Sequence, residues 1–425
     1  MSVSSAKPTH VRYVVLSLAV VIYMITYIDR TLLSTAIPAA QRQFHFTDAA
    51  MGAVLSAHQF AYALFQIPAG WLGDRFGPRI MLSAVVVWWC GFMVLTGFAG
   101  SVSMLMVGLF LFGAGEAGAF PLANRALSRW LLPSERAFAQ GSTHAGSRFG
   151  GAISPIIAVT LIGLYSWRAP FWVLAVLGLG WVAVWAWYYR DSPAEHSGVN
   201  QAERDRIEAA IGKSPSRSRV IPWKRILSSR NMWTLALMYG CYSIILIVFL
   251  TWFPKYLSEV RGVNLKATGF LTSITLAAGM VGDLCGGLVS DYLVSRTRRV
   301  TFSRRCVAIT GFLITAIFIP IAVLLPNVTA AVVCFGIAVF GLELTVSNSW
   351  AVTLDIGGPF AGSVSAVMNC FGNLCSAFFT WRLGVFESSY GWSAVFFTIA
   401  GLAVVGAILF SRIKAHEHLI APAAS

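Results

Sequence analysis

Acidic and basic side chains stand inside runs of apolar residues, where each is costly. Asp29 and Arg30 interrupt the run that begins at Tyr13. Glu116 sits in FGAGEAGAFP, Arg148 in THAGSRFGGAISP, and Asp283 and Glu343 in later apolar runs. A charge at the centre of a bilayer costs about 2.5–3.5 kcal/mol on insertion scales, so each of these needs a partner or a purpose. Neighbouring residues on a helix point about 100° apart. Asp29 and Arg30 therefore either neutralise their own helix, or Arg30 holds a carboxylate while Asp29 takes a proton. Glu116 is surrounded by Gly113, Gly115, Gly118 and Pro121, small residues that admit another helix or a substrate closely. Burial disfavours the charge of a carboxylate and a nearby Arg favours it, a competition that suits a proton switch; the other reading is a structural ion pair. Arg148 either shares an anion with Arg30, since the guanidinium fork matches carboxylate geometry, or pairs with Glu116 or Glu343. Glu343 and Asp283 are each a further titrating site or a partner for an Arg.

Neutral polar residues repeat at one-turn spacing. Tyr62 and Gln66, Tyr239 and Ser243, and Asn369 and Asn373 each share a helix face. Such faces line a hydroxyl- and amide-rich cavity fit for sugar hydroxyls, or they make interhelical hydrogen bonds. His58 and His144 also fall in apolar runs, where a lone His packs or hydrogen-bonds more often than it works as a proton site. Trp252 is a candidate to close the cavity.

The elements that position these residues follow from composition. Hydrophobic residues make up 57% of the 425-residue chain and charged residues 11%, against about 25% charged in a soluble domain. So little charge does not cover a globular surface, and lipid is the expected solvent. The formal net charge of +14 then reflects Lys and Arg held on one side of a membrane rather than nucleic-acid binding. The seven cysteines form no CxxC pair and read as small packing residues. Lys7, Arg12 and the apolar run after them read as an anchor retained as the first helix, not a cleaved signal. At about 20 apolar residues per crossing, spans fall near 13–38, 50–72, 80–99, 102–128, 138–164, 168–189, 231–257, 267–290, 305–325, 328–354, 360–385 and 391–413. The fold class is thus an all-α membrane protein of twelve transmembrane helices. With both termini cytoplasmic, inner segments hold about 23 Lys and Arg and outer loops about 6.

One polar stretch, 190–230, holds Pro193, Pro215, Ser-Arg repeats and the charged helix candidate AERDRIEAAI. It reads as a cytoplasmic linker between a six-helix half, 1–189, and a second half, 231–425. A short motif appears in both halves. GWLGDRFGPR carries Asp74, Arg75 and Arg79, and GGLVSDYLVSR carries Asp291 and Arg296. Internal repeats of this kind mark secondary transporters. The motif residues, with Arg125, are expected to latch helices as a gate or brace.

These segments resemble the major facilitator superfamily in its anion:cation symporter branch. The resemblance is carried by YIDR (27–30), SAHQFAYALFQIPAGWLGDRFGPR (56–79), FGAGEAGAFPLANR (112–125), DSPAEHSGVNQAE (191–203), TWFPKYL (251–257) and MNCFGN (368–373), and covers nearly the whole chain. That branch includes bacterial galactonate, glucarate and hexuronate carriers and, more distantly, sialin and the vesicular glutamate transporters. The resemblance implies a monomeric, multi-pass protein of the cell inner membrane, without cofactor, that couples a small organic anion to protons. It implies that Arg30 binds the anion and that Asp29 and Glu116 carry protons. Many relatives have an Arg where this chain has Leu109, and Arg148 is the expected replacement. On this reading the anion-binding set is Arg30, Arg148, Tyr62, Gln66, Tyr239, Ser243, Asn369 and Asn373, and the proton set Asp29, Glu116 and Glu343. If two protons accompany one monocarboxylate, one net charge crosses, worth about 2.3 kcal/mol per 100 mV, or roughly fifty-fold accumulation. An exporter or exchanger of aromatic or dicarboxylic acids has the same fold. A membrane sensor without transport is the alternative of another class. An enzyme would need a catalytic set, and the chain has no HExxH, GxSxG, Walker loop or Cys/His metal spacing.

Overall fold

The computed structural model describes residues 7–45, 48–211, 221–417 and 419. Pro215 and the Ser-Arg repeats lie outside the described residues. The described residues form helices and no strand. Ten stretches are long and apolar enough to cross a membrane. One of them, Val328–Leu383, is itself divided at Gly358, and the 29-residue helix Asp48–Phe76 is not among the ten. Many large apolar side chains lie on the outside, among them Ile156, Val176, Phe270 and Val333, as a lipid-facing surface requires.

The chain forms two compact units. The first comprises 1–132, 146–221 and 359–366; the second comprises 133–145, 222–358 and 367–425. Their main division falls in the expected linker, with two short segments exchanged.

In the first unit, helices α1 (Val11–Phe44), α2 (Asp48–Phe76), α3 (Pro78–Gly97), α4 (Val102–Glu116) and α5 (Ala119–Trp130) precede α6 (Arg136–Leu164), which enters the unit at Gly146, and α7 (Ala169–Tyr188). Close approach rests on glycine. A Cβ at Gly150 would come 2.4 Å from the carbonyl oxygen of Met24, and one at Gly113 would come 2.3 Å from that of His58. Side chains at these two positions would push α6 off α1 and α4 off α2. Ser154 Oγ donates to the Ile28 carbonyl at 2.7 Å and adds a polar tie between α6 and α1.

The span expected at 102–128 is one apolar stretch, Val102–Trp130, with a local irregularity at Ala117 and Gly118 between α4 and α5. There the Gly118 N–H turns to the Gly115 carbonyl at 3.3 Å, and Pro121 has no N–H to give to the Ala117 carbonyl. Glu116 is the last residue of α4.

The linker is partly folded. Helix α8 (Gln201–Ile211) matches the charged segment read from sequence, with Asn200 accepting from the Glu203 N–H at 2.9 Å. The Glu203 carboxylate is fully buried and sits at the start of α1. It accepts from Arg12 Nη1 at 2.9 Å, from the backbone N–H groups of Val11 and Arg12 at 3.4 Å, and from the Thr9 hydroxyl. A carboxylate at a helix N-terminus is favourable through both hydrogen bonds and the helix dipole. Glu203→Gln is expected to cost about 1–3 kcal/mol and to speed proteolysis within 190–230. An unchanged cleavage rate and thermal midpoint would refute this tether.

In the second unit, α9 (Trp223–Ser228), α10 (Arg230–Ile247), α11 (Phe253–Glu259), α12 (Leu265–Thr297), α13 (Val300–Leu324), α14 (Val328–Gly357) and most of α15 (Ala361–Arg412) pack together. The side chains of Ser229, Asn264 and Asn327 cap α10, α12 and α14 by accepting from the N–H three residues on. Thr315 Oγ1 of α13 donates to the Ala338 carbonyl of α14 at 2.9 Å. The expected span 231–257 is interrupted by a π-helical segment, Val248–Trp252. Pro254 lacks the N–H that Leu250 would receive, and the Phe253 N–H reaches back five residues to Val248. The spans expected at 360–385 and 391–413 run together in α15 across a kink at Gly391, whose φ of 76° suits glycine.

Candidate functional site

Glu116, at the end of α4, meets side chains from α1 and α2. Arg30 Nε donates to Glu116 Oε1 at 2.8 Å, and His58 Nε2 lies 2.6 Å from Glu116 Oε2. The carboxylate is fully buried and the His58 side chain 5% exposed, while the Arg30 side chain is 27% exposed. The Arg30 guanidinium lies over three aromatic rings, 4.0 Å from the centroid of Tyr62, 5.3 Å from Phe120 and 5.5 Å from Tyr27. Cation–π contact and the Glu116 hydrogen bond fix the plane of the guanidinium. Only one edge of it is spent on Glu116. Its Nη2 is buried and has no hydrogen-bond partner among the described residues. Phe112 packs on His58 with ring centroids 4.8 Å apart.

Asp29 is fully buried. Neither of its carboxylate oxygens has a hydrogen-bond partner among the described residues. Gln66, one turn after Tyr62, is also fully buried, and its amide has no partner among them. Leu109 is buried within α4. Arg148 is half-buried. Gly146 and Gly150 face Val20 and Met24 of α1, so Arg148, midway between them, sits on the other face of α6. The second nitrogen-bearing side chain that the structure places on Glu116 is His58, read from sequence as a packing or hydrogen-bonding residue. Its signal in the sequence was only a His one turn before Tyr62 in an apolar run.

The second unit has its own buried polar cluster. Glu343 is fully buried and accepts from the Tyr242 hydroxyl at 2.8 Å. Tyr239 stacks on Tyr242, and its hydroxyl accepts from Trp350 Nε1 at 3.0 Å. Tyr239 thus ties α10 to α14. His144 packs on Trp350 at 5.4 Å. Ser243 Oγ lies 2.6 Å from where a Cβ on Gly372 would stand, so α10 and α15 approach closely there. Asn369 is buried and Asn373 half-buried on the same face of α15. Asp283 is fully buried in α12. Trp252 is half-buried beside Trp392, with the Lys255 ammonium 5.5 Å from its ring.

The repeated motifs make matching charge networks. In the first unit, Asp74 accepts from the backbone N–H groups of Gly362 and Ser363 at 3.2 and 2.7 Å, which caps the start of α15, and it forms an ion pair with Arg125 at 3.1 Å. In the second, Asp291 accepts from the N–H groups of Ala137 and Phe138 at 3.2 and 2.7 Å, at the start of α6, and pairs with Arg304 at 2.6 Å. Arg304 also reaches Asp355 at 3.3 Å and the Pro133 carbonyl at 2.7 Å, and Arg136 holds the other oxygen of Asp355 at 2.7 Å.

Three residues expected in this latch lie elsewhere. Arg75 stacks on Trp71 and Phe76. Arg79 donates to the Ala186 carbonyl and, through its backbone N–H, to Asp191. Arg296 is exposed over Tyr292. They follow their Asp on the same helix or just after it, and the helix turns them to other surfaces. Arg304, Asp355 and Arg136 were missed because their partners stand on other helices, 13 to 219 residues away. Among the described residues no group of three or more His, Cys, Asp and Glu could hold a metal ion.

A family model described as Major Facilitator Superfamily matches residues 19–380. A probable sulfoacetate transporter of Cupriavidus necator is 39% identical over 84% of this chain and 83% of that protein. A hexuronate transporter of Bacillus subtilis is 31% identical over 92% of this chain and 91% of its own. Among solved structures, the proton:xylose symporter XylE superposes with a TM-score of 0.74 at 12% identity, covering 95% of this chain and 96% of that one. That likeness concerns the fold alone.

Proposed function

The chain belongs to the major facilitator superfamily, and we propose that it is a twelve-helix symporter that carries an organic carboxylate anion together with protons. It is a transporter, not an enzyme, and its relatives carry organic anions. The observation that carries the proposal is the Arg30 guanidinium, held to Glu116 on one edge and partly open among Tyr27, Tyr62 and Phe120. Guanidinium takes carboxylates and other oxyanions by paired, charge-assisted hydrogen bonds. A site centred on it repels cations. Glu116 and Asp29 supply carboxylates whose protonation relieves repulsion of the incoming anion.

Sugar acids such as galactonate, glucarate and hexuronates remain the leading class. The sulfoacetate relative adds small acids with two anionic ends. The bias of Lys and Arg between loops supports a reading with both termini on the cytoplasmic side of the cell inner membrane. Transport proceeds by alternating access of a monomer to a midplane site, with protons as the coupling ion and no other cofactor.

Purified protein in proteoliposomes tests this with radiolabelled galactonate, glucarate, galacturonate and sulfoacetate. At least one is expected to accumulate when the outside is acidified, and Glu116→Gln is expected to lower that accumulation by about tenfold or more. Uptake indifferent to a pH gradient in wild type and variant alike would sink proton coupling. No uptake of any of the four would remove the substrate class.

A further inference from the structure

We infer that His58 and Glu116 share the proton that accompanies the anion, so that His58 is a proton-coupling residue of the carrier. The inference rests on the proton-coupled reading above. It begins from geometry: His58 Nε2 lies 2.6 Å from Glu116 Oε2 while Arg30 Nε holds the other oxygen at 2.8 Å. The pair is nearly closed to solvent, and Phe112 and Gly113 of α4 press against His58. An imidazole is the side chain that exchanges protons near neutrality, and a hydrogen bond of this length lets one proton pass between the two partners.

The charge arithmetic gives the pair its function. With neutral His58, the Arg30 cation and the Glu116 carboxylate cancel. One added proton makes the three side chains a net cation, whichever of the two holds it. If it sits on the imidazole, His58 supplies a second positive charge. If it moves, the Nε2–H bond breaks, an Oε2–H bond forms, and neutral imidazole faces a neutral carboxyl; water then reprotonates or deprotonates the imidazole. In that second state the hold of Glu116 on Arg30 weakens, and the guanidinium is released toward an anion. Both states favour the anion over the unprotonated one. Anion and proton therefore each raise the affinity for the other, as linkage requires. The other charged and titratable groups near His58 are Arg30 and Tyr27 on α1, Asp29 within electrostatic reach of Glu116, and Tyr62 one turn along α2. Asp29 makes no hydrogen bond to the triad, so it does not short-circuit the His58–Glu116 exchange.

Two substitutions separate a relay from a fixed charge. His58→Arg keeps a cation but no exchangeable proton, and His58→Gln keeps a hydrogen bond but no charge. With the anion that the wild type accumulates in proteoliposomes, galacturonate or sulfoacetate, both variants are expected to lose far more of the pH-driven accumulation than of the anion exchange seen in counterflow. Both are expected to lose pH-driven accumulation by about tenfold or more, and His58→Arg to bind the anion with little dependence on pH. Accumulation and pH profiles in the two variants that overlay the wild type would overturn the inference. So would an equal loss of exchange and accumulation in both, which marks a structural role. A measurement on the unaltered chain guards against misfolded variants. In protein labelled with 15N-histidine, the His58 resonance is expected to shift toward the protonated form when the anion is added at constant pH, and no shift would refute the relay. Failure of the wild type to accumulate any anion under a pH gradient would instead remove the proposed function itself.

Discussion

Arg30→Ala is expected to abolish anion uptake, and Arg30→Lys to restore little of it. The guanidinium does three things at once: its Nε holds Glu116, its face lies on Tyr62, and its Nη2 is left without a hydrogen-bond partner among the described residues. Truncating one partner of a desolvated charge pair costs about 2–5 kcal/mol, which at the middle of that range is a loss of a few hundredfold in affinity. A lysine ammonium is a compact point charge. It either reaches Glu116 or presents itself to the anion, and it has no plane to lie along Tyr62. Tyr62→Phe keeps the ring and is expected to stay within a few-fold of wild type. Tyr62→Ala removes the surface that orients the cation. Initial uptake rates over a concentration series, with anion-induced thermal shifts to report binding, measure all four variants. An Arg30→Ala protein with wild-type KM would show that the anion binds elsewhere.

That Arg30 and Glu116 could be found in the sequence, and His58 only noted, follows from what each costs in an apolar run. An arginine or glutamate there carries a penalty that packing does not offset, so its presence announces a partner or a task. A histidine carries no such penalty as neutral imidazole. Its importance comes from a partner on another helix, 58 residues away, and one sequence does not state that pairing. The same limit applies to the charge networks. The doubled Gly-Asp-Arg motif revealed Asp74 and Asp291, and its nearest arginines were the natural partners to assume. In space, Arg75, Arg79 and Arg296 are turned elsewhere by the helices that carry them, and the pairs form with Arg125 and Arg304. Span positions were legible because hydrophobicity is a property of each segment alone. The irregularities before Pro121 and in Val248–Trp252 were visible only as prolines, and a proline within a membrane helix does not by itself announce one, since neighbouring groups often satisfy the freed carbonyl.

The largest stability effect is expected at Arg304, which touches nothing proposed to bind the anion. Its side chain is fully buried and compensates two carboxylates, Asp291 at 2.6 Å and Asp355 at 3.3 Å, besides the Pro133 carbonyl. Arg304→Ala leaves Asp291 without its counter-ion and Asp355 with Arg136 alone. Removing one member of a buried pair costs about 3–5 kcal/mol, because the charge left behind stays desolvated. Arg125, the counterpart in the first unit, faces one carboxylate, Asp74, which also caps Gly362 and Ser363. Arg125→Ala is therefore expected to lower the thermal midpoint in detergent less than Arg304→Ala does. The damage from Arg304→Ala is expected to shrink when the stranded charge is removed as well: Arg304→Met with Asp291→Asn keeps an acceptor for the Ala137 or Phe138 N–H and leaves no unpaired anion at that position. Midpoints read by size-exclusion after heating give the order. If the double variant were less stable than Arg304→Ala, the loss would lie in packing around the guanidinium and not in the uncompensated charge of Asp291.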